Sequence, residues 1–301
     1  MNLSEKNQIA QEQLHIYCGI LFNNRTFLSG ADRKIRYRMD CPEFDTLRSR
    51  YALETIAGGG DDFTRAKRLM HYLAPRLTHC SWYDNHVPCN ALDLLEYSLN
   101  KPDQGINCLN KSKILEECCL SLGIYARRVG IYPFSPYDFD NHVVTEIFDR
   151  RREKWIMLDP TTDGYFMDEE GTPLSLLEMR HRFANDLGVT FVPSATRKKD
   201  YAKLRSKYSE SNAYICKNLF YFLVDAQCGF GEPEERLVIC PEHYNVRENQ
   251  IQNTTFRLNH MPEEYADFIP VIRERLEKLQ KAEDRAYIDV SCMTCSPLES
   301  K

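Results

Sequence analysis

Residues 105–129 read GINCLNKSKILEECCLSLGIYARRV, and residues 141–161 read NHVVTEIFDRRREKWIMLDPT. In the first stretch Asn107 suits a helix N-cap, Cys108–Leu122 has helical character, and Gly123 suits the C′ position that closes a helix. Cys108 therefore falls on the first turn, where unpaired backbone N–H groups and the helix dipole favour a thiolate over a thiol. Its own N–H, pointing out of the helix end, suits stabilisation of an oxyanion. Ile124–Tyr132 then reads as a strand. In the second stretch the β-branched run His142–Phe148 and the run Lys154–Asp159 flank a charged turn, and Pro160 ends the second strand.

The register of that hairpin decides what the side chains do. Pairing Asp149 with Lys154 puts Asp159 opposite Val144, so His142 and Asp159 share a face as diagonal neighbours. A two-residue slip places them directly opposite each other. Only a one-residue slip would send them to opposite faces. A carboxylate so placed can fix an imidazole tautomer and stabilise its protonated form. The plain reading stands beside this one: a cysteine in an amphipathic helix is commonly a small core residue, as expected for Cys118 and Cys119. A histidine opening a strand is commonly structural.

The same stretches resemble the transglutaminase-like superfamily, a branch of the papain-like cysteine hydrolases and acyltransferases. The likeness lies in Gly105-Ile106-Asn107-Cys108, in Gly123-Ile124-Tyr125-Ala126-Arg127, in Asn141-His142-Val143-Val144, and in Trp155-Ile156-Met157-Leu158-Asp159-Pro160. The resemblance implies Cys108 as nucleophile, His142 as general acid/base and Asp159 as the orienting carboxylate. It also implies a thioester acyl-enzyme formed from an amide or ester, with no metal or organic cofactor. Related enzymes draw a second oxyanion donor from a tryptophan or glutamine upstream of the nucleophile. Trp82, in the polar loop Ser81–His86, and Gln104 are the candidates here. The flanking β-sandwich domains and calcium sites of the large animal transglutaminases are not expected in this chain.

Outward from this centre, the expected fold is α+β: a papain-like, transglutaminase-like core at residues 62–190, with the nucleophile helix packed on an antiparallel sheet. A helical extension (1–61) precedes it and an α/β segment (191–301) follows and packs on it. Helices are expected at Glu5–Phe22, Pro42–Ile56, Phe63–Leu73 (capped by Asp62), Ala91–Leu99 (capped by Asn90), Ser175–Asn185, Ala195–Glu210 and Pro262–Arg285. Further strands are expected at Lys34–Met39, Tyr214–Val224 and Arg236–Cys240.

Other residues carry competing readings. The loop Pro133–Asn141 holds Phe134, Tyr137 and Phe139 beside Asp138 and Asp140. It either lines a groove suited to a cationic acceptor or is a surface loop with anchoring aromatics. Arg127 reads as a structural ion-pair member and Arg128 as a solvated charge. Cys240, His243, Cys292 and Cys295 offer three thiols and an imidazole, a permissible zinc set, although each half can equally be accidental.

The chain has 301 residues, with 39 Lys+Arg against 44 Asp+Glu and a net charge of −5. Its balance shows no concentrated basic stripe, which argues against nucleic acid as partner. No apolar run approaches the ~20 residues of a membrane span. The polar N-terminus lacks a leader pattern, so its twelve cysteines are expected to be reduced thiols in the cytoplasm. The function that follows is a cysteine-dependent enzyme, a protease or amidase, acting on a peptide or protein substrate. Hydrolysis is placed ahead of transamidation because water competes with any amine. The alternative is a non-catalytic binding module that keeps the scaffold.

Overall fold

The computed structural model describes residues 3–193, 212–233, 235–282 and 285–299. Its helices are α1 (Leu3–Asn23), α2 (Glu43–Arg50), α3 (Leu53–Ala57), α4 (Asp62–Leu73), α5 (Ala91–Asn100), α6 (Cys108–Ser121), α7 (Leu176–Ala184), α8 (Val246–Asn259) and α9 (Ile269–Lys281). The strands are β1 (Arg36–Tyr37), β2 (Ala126–Tyr132), β3 (His142–Asp149), β4 (Lys154–Asp159), β5 (Gly164–Met167), β6 (Thr190–Pro193), β7 (Tyr221–Asp225), β8 (Gln227–Cys228) and β9 (Arg236–Ile239). A seven-stranded sheet runs β6-β5-β4-β3-β2-β7-β9, antiparallel throughout. Strands β1 and β8 pair separately and in parallel. Among the described residues, no helix is long and apolar enough to cross a membrane.

Helix α6 is the axis of the molecule. It packs on β2 and β3 on one side and on α2, α4 and α5 on the other, so residues 110–121 are all buried. A helix enclosed on every side must pair its polar groups, because an unpartnered buried donor or acceptor costs about 1–3 kcal/mol. Ser112 Oγ donates to the Val143 carbonyl at 2.8 Å, and Thr145 Oγ1 donates back to the Ser112 carbonyl at 3.1 Å. Lys113 donates to the Gly229 carbonyl at 2.8 Å and lies 3.3–3.4 Å from Glu116 and Glu117. Glu117 in turn accepts from the N–H groups of Ala91 and Gly231. Cys118 and Cys119 fill core space beneath, fully buried.

The hairpin forms in the first of the two expected registers: Asp149 pairs with Lys154 and Thr145 with Leu158. Ser175 caps α7 in a reciprocal box with Glu178, and Asn90 caps α5 as expected.

Several expectations are corrected. The helix expected at Pro42–Ile56 breaks into α2 and α3 because Ala52 takes a left-handed φ of +49°. The cap of α4 is Asp61, whose side chain accepts from Thr64 N–H, and not Asp62. Asp62 is instead buried against the Arg150 guanidinium at 2.7 Å. Tyr214–Val224 is not one strand: residues 212–218 are helical and β7 begins at Tyr221. The long helix expected at Pro262–Arg285 is a 3-10 turn, Glu263–Phe268, followed by α9. Helix α8, absent from the sequence reading, precedes both. The expected helix Ala195–Glu210 lies outside the described residues. Arg128 is not solvated: it is 3% exposed and paired with Asp225 and Glu232.

Candidate active site

Three element ends converge. Cys108 is the first residue of α6, His142 the first of β3 and Asp159 the last of β4. Asn107 caps the helix by accepting from Asn110 N–H at 3.2 Å. This leaves the first-turn N–H groups at Cys108 without intrahelical acceptors. The approach to Cys108 is held by a strand-like bridge. Cys80 N–H donates to the Ile106 carbonyl at 3.0 Å, and Ile106 N–H donates to the Thr78 carbonyl at 3.1 Å. Gly105 makes that approach possible, since a Cβ there would lie 2.8 Å from Cys80.

Cys108 is half-buried, whereas His142 and Asp159 are 3% and 2% exposed. Asp159 Oδ2 lies 2.9 Å from His142 Nε2. The same carboxylate accepts from Thr161 N–H at 2.9 Å and from Thr162 Oγ1 at 2.8 Å. The turn after Pro160 thus saturates it and fixes its direction. With Nε2 engaged, Nδ1 is the imidazole nitrogen left for Cys108.

The electrostatics follow from this geometry. Burial pulls the His142 pKa down, but the charge and hydrogen bond of Asp159, reinforced by Cys108, hold it well above its usual value. Burial pushes the Asp159 carboxyl up, yet His142 and the Thr161–Thr162 donors bring it below the ordinary carboxylate range. Both shifts favour an imidazolium–carboxylate pair, a form suited to stabilising a thiolate beside it.

Two further residues attend the pair. The ring of Tyr214 meets His142 edge-on with centroids 5.5 Å apart, and its hydroxyl donates to the Asn141 carbonyl at 3.4 Å. Burial and the charge of Asp140 push its phenol pKa up, keeping it neutral. His79 is held below its usual pKa by burial and by the charges of Lys111 and His142, and lies 3.0 Å from Ser81 Oγ. Neither stood out in the sequence. Tyr214 sits in a segment that reads as a strand, and His79 in a loop without periodicity.

Of the two candidate oxyanion donors, Trp82 is half-buried and stacked on Tyr265, with centroids 4.2 Å apart, and meets Phe268 at a tilt. Gln104 is exposed, and its side-chain oxygen accepts from Tyr97 OH at 2.7 Å. In the loop before His142, Phe134 packs on Phe220 and Tyr244, while Tyr137 and Phe139 pack on Phe256. Asp138 is already paired with Lys217 at 2.9 Å. The loop's aromatics therefore anchor it to the C-terminal segment.

The possible zinc residues are dispersed in environment. Cys240 is buried with its sulfur 3.7 Å from the Tyr244 carbonyl, and Cys295 is exposed. Among the described residues no group of three or more His, Cys, Asp or Glu side chains is gathered as a metal requires.

Residues 49–160 match the transglutaminase-like superfamily. The matched span contains Cys108, His142 and Asp159 and ends one residue beyond the last of them. Comparison with curated proteins and with solved structures gives no match.

Proposed function

From a chain whose residues 49–160 form a transglutaminase-like domain of papain-like fold, we propose a cysteine-dependent enzyme that opens amide bonds through a thioester acyl-enzyme. The observation that carries this reading is the buried His142–Asp159 pair, 2.9 Å apart, beside a half-exposed cysteine on a helix N-terminus.

In the proposed cycle His142 takes the Cys108 proton, and the sulfur attacks the carbonyl carbon of a peptide or protein amide. The negative oxygen of the tetrahedral species is met by the Cys108 N–H. Trp82 is the second donor we place ahead of Gln104, because Gln104 is exposed and its side chain is turned toward Tyr97. The imidazolium then protonates the departing amine, leaving a thioester. Water, activated by His142, releases the acid and regenerates the thiol. We place hydrolysis ahead of transamidation because the half-exposed Cys108 is open to water. The twelve free cysteines suit a reducing compartment, and the cytoplasm is the one this reading implies.

Limiting iodoacetamide at pH 6 tests the proposal. Cys108 should be alkylated at least about tenfold faster than two other half-buried thiols, Cys80 and Cys89, and His142→Ala should abolish the difference. Equal rates at all three thiols would remove the enzyme reading and leave a binding scaffold.

A further inference from the structure

Cys18 Sγ on α1 lies 3.9 Å from Cys216 Sγ on the helical segment 212–218. The two thiols are separated by 198 residues in sequence, so only the tertiary fold brings them together. The contact is asymmetric. Cys18 is half-buried, while Cys216 is fully buried.

A third residue holds the two segments in place. Arg180, on α7 and 4% exposed, donates to the Asn24 carbonyl just past α1 at 2.6 Å and to the Leu219 carbonyl just past segment 212–218 at 2.9 Å. Its guanidinium charge also favours ionisation of Cys216, although burial dominates there and drives that thiol strongly upward. Hydrogen bonding from Cys216 brings the Cys18 thiol below its usual value. A cleft of about 220 Å³, lined by Tyr17, Phe134, Cys216 and Lys217 among others, adjoins the Cys216 side of the pair, while Cys18 is itself only half-buried.

We propose that Cys18 and Cys216 are a reversible oxidation site, with Cys18 the peroxidatic thiol and Cys216 the resolving one. The oxidant is a hydroperoxide. The Cys18 thiolate attacks one peroxide oxygen, breaking the O–O bond and forming a sulfenic acid and hydroxide. Cys216 sulfur then attacks the Cys18 sulfur. The departing hydroxide takes the Cys216 proton and leaves as water. Two thiols lose two electrons in total, and the peroxide is reduced by two. Bond formation asks only that the sulfurs close from 3.9 Å to about 2.05 Å, the disulfide length.

The site is joined to the His142 environment from two sides. Segment 212–218 also carries Tyr214, whose ring packs on His142, and Lys217, which pairs with Asp138 in the loop before His142. A bond at Cys216 therefore tethers to α1 the segment that flanks the imidazole. Formation of the disulfide does not depend on Cys108 being a nucleophile, so it succeeds or fails separately from the proposed function.

The experiment exposes the full reduced chain to a small molar excess of hydrogen peroxide and quenches it with N-ethylmaleimide in denaturant. Unreduced peptides are then mapped by mass. The expected product is a Cys18–Cys216 linked peptide, two hydrogens lighter than its parts and abolished by dithiothreitol. The oxidised chain should melt roughly 5 °C or more above the reduced one, as closing so long a loop predicts, and Cys18→Ser should not show the shift. In Cys216→Ser the sulfenic acid should persist at Cys18 and be trapped by dimedone. Maleimide on both Cys18 and Cys216 after peroxide, with oxidation falling on other thiols such as Cys292 and Cys295, would overturn the proposal. So would equal dimedone trapping at Cys18 in the wild type and in Cys216→Ser. The peptide map of the wild-type chain decides the matter even if either variant misfolds.

Discussion

His142 Nε2 and Asp159 Oδ2 lie 2.9 Å apart on neighbouring strands, with both residues almost wholly withdrawn from solvent. A buried ion pair is kept where its remaining hydrogen-bonding capacity is satisfied. Here Thr161 and Thr162 do that for the carboxylate. The imidazole keeps one nitrogen free for Cys108. The pair is thus arranged to hold a tautomer and a charge rather than to maximise stability.

Asp159→Asn should lower turnover about 10⁴-fold, with the Cys108 alkylation advantage at pH 6 lost in parallel. The pH dependence of stability carries the matching signature. The folded-state pKa of His142 is raised from 6.5, so its contribution is complete below about pH 6.5 and is lost as pH rises through the raised value. That of Asp159 is lowered from 3.8, so its contribution is complete above about pH 4 and is lost as pH falls through the lowered value. The melting-temperature gap between wild type and Asp159→Asn should therefore be widest between about pH 4 and 6.5 and narrow in alkali. A gap that widens steadily into alkali would contradict the paired assignment.

Ser112 tests whether the helix that carries Cys108 is registered on the strand that carries His142. Its hydroxyl reaches the Val143 carbonyl, and Thr145 reaches back to the Ser112 carbonyl, one turn in from Cys108 and one to three residues past His142. Ser112→Ala leaves a buried carbonyl short of a donor and should cost about 1–2 kcal/mol in urea unfolding. It should also reduce Cys108 reactivity, which Ser121→Ala, at the far end of the same helix, should leave unchanged.

What could be read from the sequence, and what could not, divides along a physical line. The hairpin register was legible because the charged turn Asp149–Glu153 and the His142–Phe148 run specify it locally. The limits of α6 were legible because Asn107 and Gly123 mark its two ends. Helix α8 was not, because the side it buries includes Asn249, Gln250 and Thr254, residues that no hydrophobic periodicity reports. Asn249 goes inside because a partner waits there: it donates to the Phe134 carbonyl, as the neighbouring Asn253 does to those of Pro136 and Asp138. Tyr214 and the Cys18–Cys216 contact were hidden for the same reason. Each depends on segments far apart in the chain that only the completed sheet brings together.

Arg127 illustrates the cost of such long-range pairing. Its guanidinium is fully buried over the Trp155 ring at 3.7 Å and paired with Glu146 at 2.6 Å. It also donates to the carbonyls of Cys292 and Met293, while Glu146 accepts from Leu176 N–H to anchor α7. Arg127→Met strands the Glu146 carboxylate and should destabilise the fold by about 3–5 kcal/mol. The C-terminal turn should loosen with it. Burial pushes the Cys292 thiol up to about 12, so release should appear as faster maleimide labelling of Cys292. Unchanged labelling would mean that the turn is held by other contacts, such as the Trp155 Nε1 donation to the Cys295 carbonyl.

The stack of Trp82 on Tyr265 links the loop Ser81–His86 to the connection between α8 and α9. The turn Glu263–Phe268 buries none of its own residues, so this aromatic contact, worth about 0.5–1.5 kcal/mol, is its main hold on the loop. If the Trp82 indole N–H meets the oxyanion, Trp82→Phe keeps the ring stack and removes only the donor. It should then lower kcat about 10²-fold with KM little changed. Gln104→Ala should stay within about twofold, since it removes only the acceptor for Tyr97 and no transition-state contact. Tyr265→Ala should leave the donor but free its ring, giving a smaller loss of kcat and a red shift of Trp82 emission. Trp155, the other of the two tryptophans, stays buried under Arg127 and should not move. Were Trp82→Phe as active as wild type while Gln104→Ala lost activity, the donor assignment would pass to Gln104.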